Sequence, residues 1–252
     1  MRYARPFIVF AGLIVVWQAV VTVFGLPRFI LPPPLLVAEM LVERADTLAA
    51  HAMLTLLEIV LGLVFGTLLG AASALVMATV RAARTWLLPV LVVSQAVPVF
   101  ALAPVLVLWF GYGLAPKVAM ATLIIYFPVT AAFYDGLRRT ETGWLDLART
   151  MGASNAATLL QIRLPAALPA FASGLRVAAA VAPIGAVVGE WVGASGGLGH
   201  YMLLMNARVQ TPAMFAALFV LALLAVLLWF TIDALLRRLL PWQPDSEPSR
   251  TP

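Results

Sequence analysis

Six long apolar stretches alternate with shorter polar segments along the chain. They cover residues 7–24, 59–79, 87–110, 118–134, 169–192 and 213–232. The hydrocarbon core of a bilayer is about 30 Å thick and requires roughly 20 apolar residues in a helix, so each stretch predicts one transmembrane helix. The pattern therefore predicts an all-α, polytopic bundle of about six transmembrane helices, with residues 1–252 forming a single domain.

Two other segments have a predicted structure of their own. Three consecutive prolines at 32–34 precede a mixed apolar and acidic stretch at 35–48, which predicts a short interfacial helix. Residues 243–252 are polar and rich in proline, which predicts a disordered tail.

The composition is that of a membrane protein. Hydrophobic residues make up 63% of the chain and charged residues 11%, whereas a soluble domain has about 25% charged residues. So few charges cannot cover the surface of a soluble globule, which excludes a soluble enzyme. The chain has no cysteine, which excludes disulfides and cysteine-ligated metals, and we expect no metal site and no cofactor site.

The basic residues fall mainly on one side of the predicted bundle. With both termini in the cytoplasm, most arginines lie inside, and Arg28, Arg44, Lys117 and Arg208 lie outside. The positive-inside rule favours this orientation. It also accounts for the net charge of +5, so we expect no nucleic-acid partner.

The second apolar stretch carries three glycines at four-residue spacing, Gly62, Gly66 and Gly70. This spacing puts them on one helix face, where another backbone can approach closely, so we expect them to serve helix packing. Glu58 opens the same stretch and is expected at the membrane interface.

Several residues within the spans are candidates for lining or gating a pathway. Prolines kink helices and free backbone carbonyls, and ionisable groups at membrane depth are costly enough to suggest a function. Arg176 and Glu190 lie on one helix face, fourteen positions apart. Instead of lining a pathway, Arg176 could extend its side chain to the inner membrane interface. Glu190 could instead be a capped carboxylate at the outer interface. The candidates are Gln95, Pro98, Pro128, Arg176 and Glu190.

Residues 193–196 read Gly-Ala-Ser-Gly, a sequence found at the nucleophile of rhomboid intramembrane proteases. That chemistry needs a serine at membrane depth and a histidine from another helix. Ser195 lies beyond its apolar stretch, and neither His51 nor His200 lies within a predicted span. We therefore expect residues 195–199 to form a flexible outer turn.

The largest predicted inner loop, residues 135–165, has a pattern of helix, break and helix. Trp144–Met151 fits a helix, Gly152 permits a sharp turn, and Ser154 suits the cap of a second helix. A structured amphipathic loop on an otherwise apolar protein predicts a docking element for a soluble partner.

This loop resembles that of the permease subunits of binding-protein-dependent bacterial ABC importers, whose motif is E-A-A-x3-G-x9-I-x-L-P. Both gaps are kept, with Asp and Leu in place of the first Glu and Ala. The matching residues are Asp146, Leu147, Ala148, Gly152, Ile162, Leu164 and Pro165. The resemblance implies the type I importer permease fold, and it implies that these residues form a coupling loop to an ATPase subunit.

Other segments resemble the importer group that handles sulfonates, taurine, nitrate and pyrimidines. They are residues 98–113, 127–128, 174–176, 189–191 and 197–199. Within that group, residues 181–185 and 233–242 are most similar to permeases for hydroxymethylpyrimidine, a thiamin precursor. The resemblance implies a small substrate of this kind, with a sulfonate, taurine or nitrate as the alternative.

The resemblance also implies the partners: cytoplasmic ATPase subunits, a periplasmic or lipoprotein substrate-binding protein, and a second permease copy in the bacterial inner membrane. A homodimer is expected, and a heterodimer stays open. The sequence has no G-x-x-x-x-G-K-[ST] phosphate loop, so ATP and Mg²⁺ are expected to bind the partner and the chain is expected not to be an enzyme. A secondary carrier or an intramembrane enzyme is the alternative class.

Overall fold

The computed structural model describes residues 4–193 and 195–242, and the regular structure of these residues is helical. The helices are α1 (Ala4–Val23), α2 (Pro34–Glu43), α3 (Ala45–Thr79), α4 (Arg81–Ala96), α5 (Ala103–Phe110), α6 (Leu114–Arg138), α7 (Thr142–Thr150), α8 (Asn155–Thr158), α9 (Leu164–Gly193), α10 (Leu198–Ala207) and α11 (Thr211–Leu239). A 3₁₀ turn covers Val99–Leu102, and a π-helical turn, Leu159–Arg163, joins α8 to α9. The all-α prediction is confirmed.

Four of the described helical stretches are long and apolar enough to cross a membrane, namely Ala45–Thr79, Leu114–Arg138, Asn155–Gly193 and Thr211–Leu239. Two shorter apolar stretches, Ile8–Val23 and Val99–Phe110, lie in the first and third predicted spans. The predicted interfacial helix corresponds to α2, which ends at Glu43. The count of six crossings stays a prediction, as does the disordered tail at 243–252, which lies outside the described residues.

The third apolar stretch differs from the single helix that was predicted. Helix α4 ends at Ala96, and both Val97 and Pro98 have extended backbone before the 3₁₀ turn begins. A residue before proline disfavours the α conformation, and proline itself lacks the N–H that the helix requires. Pro98 therefore ends a helix, whereas Pro128 and Pro183 lie inside continuous helices.

Helix α6 packs along both α3 and α9, and these three helices form the centre of the bundle. The central core consists of Ile59, Leu63, Ala121, Ile125, Val129, Ala178, Ala179, Ala182 and Ala186. Helix α9 contributes only alanines to it, and such small side chains let helix backbones approach closely. Helix α1 has Trp17 stacked on Phe219 of α11, with ring centroids 5.7 Å apart.

The three glycines of α3 lie at its contact with α6. A Cβ atom built on Gly66 would lie 3.1 Å from the carbonyl oxygen of Thr122, and one on Gly70 would lie 3.1 Å from that of Tyr126. A Cβ on Gly62 would meet the side chain of Ala121 and lie 3.4 Å from its Cα. The backbones of α3 and α6 therefore approach too closely for larger side chains at these positions.

We expect Gly66→Val to lower the stability of the protein. Even a Cβ at this position would lie 2.6 Å from the side chain of Ile125, and overpacking of this kind costs about 1–3 kcal/mol. Thermal unfolding in detergent measures the effect. Gly12→Val in α1 is the matched control, because no heavy atom lies within 4 Å of a Cβ there; equal melting temperatures for the two variants would contradict the tight contact.

Candidate functional sites: an apolar groove at α7 and a buried polar cluster

Helix α7 ends in a glycine cap. The N–H of Ala153 donates to the carbonyl of Ala148 at 2.9 Å, and the N–H of Gly152 donates to that of Arg149 at 3.0 Å, which is the Schellman pattern. Gly152 has φ +74°, a left-handed conformation that glycine adopts without steric cost. Ser154 then accepts a hydrogen bond from the N–H of Ala157 at 3.2 Å and caps α8. The predicted helix, turn and cap are all present.

An apolar groove of about 420 Å³ lies between α7, the start of α9 and the end of the described chain. We call it the α7 groove; it is lined by Trp144, Leu147, Ala148, Met151, Gln161, Ile162, Pro165, Ala166 and Trp242. Trp144, Leu147 and Met151 are 52%, 60% and 77% exposed. Because this loop is predicted to lie in the cytoplasm, where lipid does not cover it, such an apolar patch indicates a binding surface.

The fold brings the two ends of the sequence motif together at this groove. Four of its residues line the α7 groove, namely Leu147, Ala148, Ile162 and Pro165. Gly152 shapes the turn between them, and Asp146 accepts a hydrogen bond from Nη1 of Arg149 at 2.8 Å on the exposed face of α7. Leu164 points elsewhere and packs against the core near the C-terminal ends of α3 and α6.

A buried polar cluster lies at the opposite end of α6 and α9 from the α7 groove. It consists of His51, Thr55 and Glu58 from α3, Lys117 from α6, Glu190 from α9, and the backbone of residues 196–199. Lys117 Nζ lies 2.6 Å from Oε1 of Glu58, with these side chains 8% and 1% exposed. It also donates to the carbonyl of Gly196 at 3.3 Å. Buried charges persist in proteins when they are paired in this way.

Glu190 holds the turn between α9 and α10. Its Oε1 accepts from the hydroxyl of Thr55 at 2.6 Å, and its Oε2 accepts from the N–H of Gly199. Thr55 Oγ1 in turn accepts from the N–H of Leu198 at 2.8 Å. These bonds satisfy N–H groups at the start of α10, which otherwise have no helical partner.

The same contacts change the prediction for the turn between α9 and α10. The turn at 195–199 was expected to be flexible, but its backbone is tied to α3, α6 and α9, and it leads directly into the unpredicted helix α10. Glu58 lies within α3, which begins at Ala45, and its side chain is buried; its place at the membrane interface stays a prediction.

His51 also lies within α3, although the sequence placed it outside any span. Its Nδ1 accepts a hydrogen bond from the N–H of Gly197 at 3.0 Å. That nitrogen is therefore occupied as an acceptor and does not serve as a base for Ser195.

The other pathway candidates have different surroundings. Arg176 donates from Nε to Oδ1 of Asp233 in α11 at 2.7 Å, and so ties α9 to α11. Pro128 lies where α6 meets α9, since a Cβ on Gly174 would lie 2.7 Å from its carbonyl oxygen. Gln95 falls in residues 94–96, whose side chains lie outside the described part of the chain. A pathway role for Gln95, Pro98, Pro128, Arg176 and Glu190 stays a prediction.

Two features of the site were missed from the sequence. Gly185, Gly189 and Gly193 of α9 repeat the four-residue spacing of the α3 glycines, and the first two face the backbone of α6. Lys117 is the only lysine of the chain and directly precedes the apolar stretch 118–134, as Glu58 directly precedes 59–79. Opposite charges at corresponding ends of two predicted helices were a usable signal for the pair.

Comparison with known proteins places the chain in a family. Residues 62–243 match the family model of the binding-protein-dependent transport system inner membrane component. The chain belongs to this family of permeases. The permease is therefore a multi-pass transport protein of the inner membrane, and the predicted family is confirmed.

Individual relatives agree with this assignment. The permease is 55% identical to a probable ABC transporter permease protein of Haemophilus influenzae, over 94% of this chain and 97% of that one. It is 38% identical to the formylaminopyrimidine transport permease protein ThiX of Halalkalibacterium halodurans, over 95% and 96% of the two chains. A chain of the MetNI methionine ABC transporter, in an inward-facing conformation, has a similar fold; the TM-score is 0.67 at 20% identity, with 78% of the permease and 97% of that chain covered. The predicted fold is confirmed.

Proposed function

We propose that the permease forms the substrate pathway of an ATP-driven importer and that its α7 groove receives a cytoplasmic ATPase subunit. The observation that carries the proposal is the exposed apolar wall of Trp144, Leu147 and Met151, which lies at the family motif, on the short helix α7 outside the predicted spans. Binding of a soluble partner that covers these three side chains is stabilised, because it removes their apolar surface from water. The chain lacks a phosphate-binding loop, so ATP and Mg²⁺ bind that partner.

The assembly that follows has two permease copies, two ATPase subunits and an external substrate-binding protein. The termini lie in the cytoplasm, because this orientation puts the α7 groove and most arginines on the inner side. Closure of the ATPase subunits around nucleotide then moves α7 and shifts the bundle between inward-open and outward-open states.

The proposed substrate is hydroxymethylpyrimidine or a related thiamin precursor. The support is the likeness of residues 181–185 and 233–242 to permeases for that compound, together with the 38% identity to a formylaminopyrimidine permease. A sulfonate, taurine or nitrate is the alternative, because the chain also resembles permeases of that group.

Uptake of labelled hydroxymethylpyrimidine by cells with and without the gene tests the substrate. Excess unlabelled hydroxymethylpyrimidine, formylaminopyrimidine and taurine are added as separate competitors. We expect uptake to fall on deletion and to be inhibited by the two pyrimidines only. Inhibition by taurine alone, or uptake that survives deletion in cells without a redundant route, would reject the pyrimidine substrate.

Two further arms separate the functional classes. Deletion of the partner ATPase abolishes uptake by an ABC importer and leaves a secondary carrier active. Ser195→Ala has no effect on a permease, whereas it inactivates an enzyme that uses Ser195 as its nucleophile.

A further inference from the structure

The π-helical turn Leu159–Arg163 lies between the α7 groove and the long helix α9. Three consecutive residues at its end have different surroundings. Ile162 lines the α7 groove, Leu164 packs against the core at the inner ends of α3 and α6, and Arg163 donates to backbone carbonyls of α6 and α3. π-helical turns are rare in proteins, and those that occur are often found at functional sites. The side chain positioned by this turn, Arg163, is therefore a candidate for a functional role.

The guanidinium of Arg163 contacts the last turns of two helices. Its Nε and Nη2 donate to the carbonyl oxygen of Leu137 in α6, at 3.2 and 3.0 Å. Its Nη1 lies 3.5 Å from the carbonyl oxygen of Ala78 in α3. Both carbonyls belong to helix C-terminal turns, whose last four C=O groups have no partner within the helix.

No carboxylate within residues 4–193 and 195–242 forms an ion pair with Arg163. Its charge is stabilised instead by the negative ends of the α3 and α6 dipoles. Arginine presents several N–H groups in one rigid plane, so a single side chain bridges both carbonyls at once; lysine, a flexible point charge, lacks this geometry.

From these contacts we infer that Arg163 is a positioning residue that transmits movement of the α7 groove to the inner ends of α3 and α6. The inference rests on the proposed function, because it assumes that an ATPase subunit moves α7. When α7 and the π-helical turn shift, Arg163 draws Leu137 and Ala78 with them. Ile162 in the α7 groove and Leu164 against the core flank Arg163, so the partner surface and the core move together with it.

The test compares purified, reconstituted importers that contain wild-type permease, Arg163→Gln or Arg163→Lys. Three quantities are measured: ATPase subunit copurified, ATP hydrolysed, and substrate transported per ATP. We expect Arg163→Gln to copurify with the ATPase and to hydrolyse ATP, but to transport about fivefold less substrate per ATP, the lower end of typical coupling between sites. For Arg163→Lys, we expect the substrate transported per ATP to lie between the values for the wild type and Arg163→Gln, because lysine keeps the charge but not the planar geometry.

Arg84→Gln is the matched control. It removes the same charge from an exposed arginine of α4, outside the loop at residues 135–165. Its ratio of transport to ATP hydrolysis is expected to equal that of the wild type.

The outcomes distinguish the inference from the proposed function. Failure of the wild-type permease to bind an ATPase would reject the proposed function. A wild-type permease that couples, with an unchanged ratio in Arg163→Gln, would reject the role of Arg163 alone. If Arg163→Gln fails to assemble, Arg163→Lys decides: a fully wild-type ratio in that assembled variant means that Arg163 is merely structural and overturns the inference.

Discussion

Lys117→Met is expected to destabilise the permease more than Gly66→Val does. The substitution leaves the Glu58 carboxylate, which is 1% exposed, without its cation, and breaking a buried ion pair in this way costs about 3–5 kcal/mol. The carbonyl of Gly196 loses a donor as well. We expect a large fall in melting temperature in detergent and a lower yield of folded protein on size-exclusion chromatography.

Two controls identify the unpaired charge as the cause. The double variant Glu58→Met with Lys117→Met removes both charges and should recover most of the lost stability, because an apolar pair of similar size can replace a buried ion pair. Arg208→Met removes an exposed charge, and its effect should stay within about 0.5 kcal/mol. A double variant no more stable than Lys117→Met would refute the pairing.

Gly152→Asp is expected to abolish transport while membrane insertion continues. Gly152 has φ +74°, where a residue with a Cβ is strained by about 1–2 kcal/mol. The new carboxylate also lies at the C-terminal end of α7, where the helix dipole disfavours negative charge, and beside the apolar wall that we assign to the ATPase. Uptake, and immunoblots of the membrane fraction, measure the two effects separately.

Gly152→Asn provides the comparison for this prediction. Asparagine is similar in size to aspartate, carries no charge, and adopts the left-handed conformation more readily than most residues. It should keep most of the uptake and bind the ATPase. Normal uptake by Gly152→Asp would remove the docking role from this loop.

Much of the fold is predictable because lipid imposes composition on long segments. The stretch at 213–232 lies within α11, and that at 118–134 within α6, since about 20 apolar residues have few alternatives to a membrane helix. The α7 loop is predictable for a different reason. Gly152 and Ser154 act locally, through backbone conformation and a hydrogen bond three residues away, so neighbouring sequence is sufficient to interpret them.

The features that the sequence did not predict have two causes. Some depend on contacts between residues distant in sequence, and others depend on a single residue whose effect is lost when hydropathy is averaged over a window. The partners of Glu58 and Glu190 come from other helices, and a linear pattern does not specify which helices are neighbours. Hydropathy also averages over a window, so Pro98 was counted inside one apolar stretch even though its local chemistry ends a helix. The start of α10 was not predicted, because glycines at 196, 197 and 199 favour a turn. The sequence does not show that the Glu190 carboxylate accepts from an N–H at the start of this helix.

Helices α8 and α9, with the π-helical turn between them, form one continuous rod from Asn155 to Gly193. Its 39 residues correspond to a length of about 58 Å, nearly twice the thickness of the hydrocarbon core. Ile162 and Pro165 at the α7 groove lie near one end, and Glu190 lies near the other. A pivot of about 5° about the midpoint displaces each end by about 2.5 Å in opposite directions, for a rod of this rise per residue. Glu190, 16 residues from the midpoint at Gly174, then moves by about 2 Å. A movement of that size away from α3 breaks its 2.6 Å hydrogen bond to Thr55, although the contacts at the centre of the rod barely move.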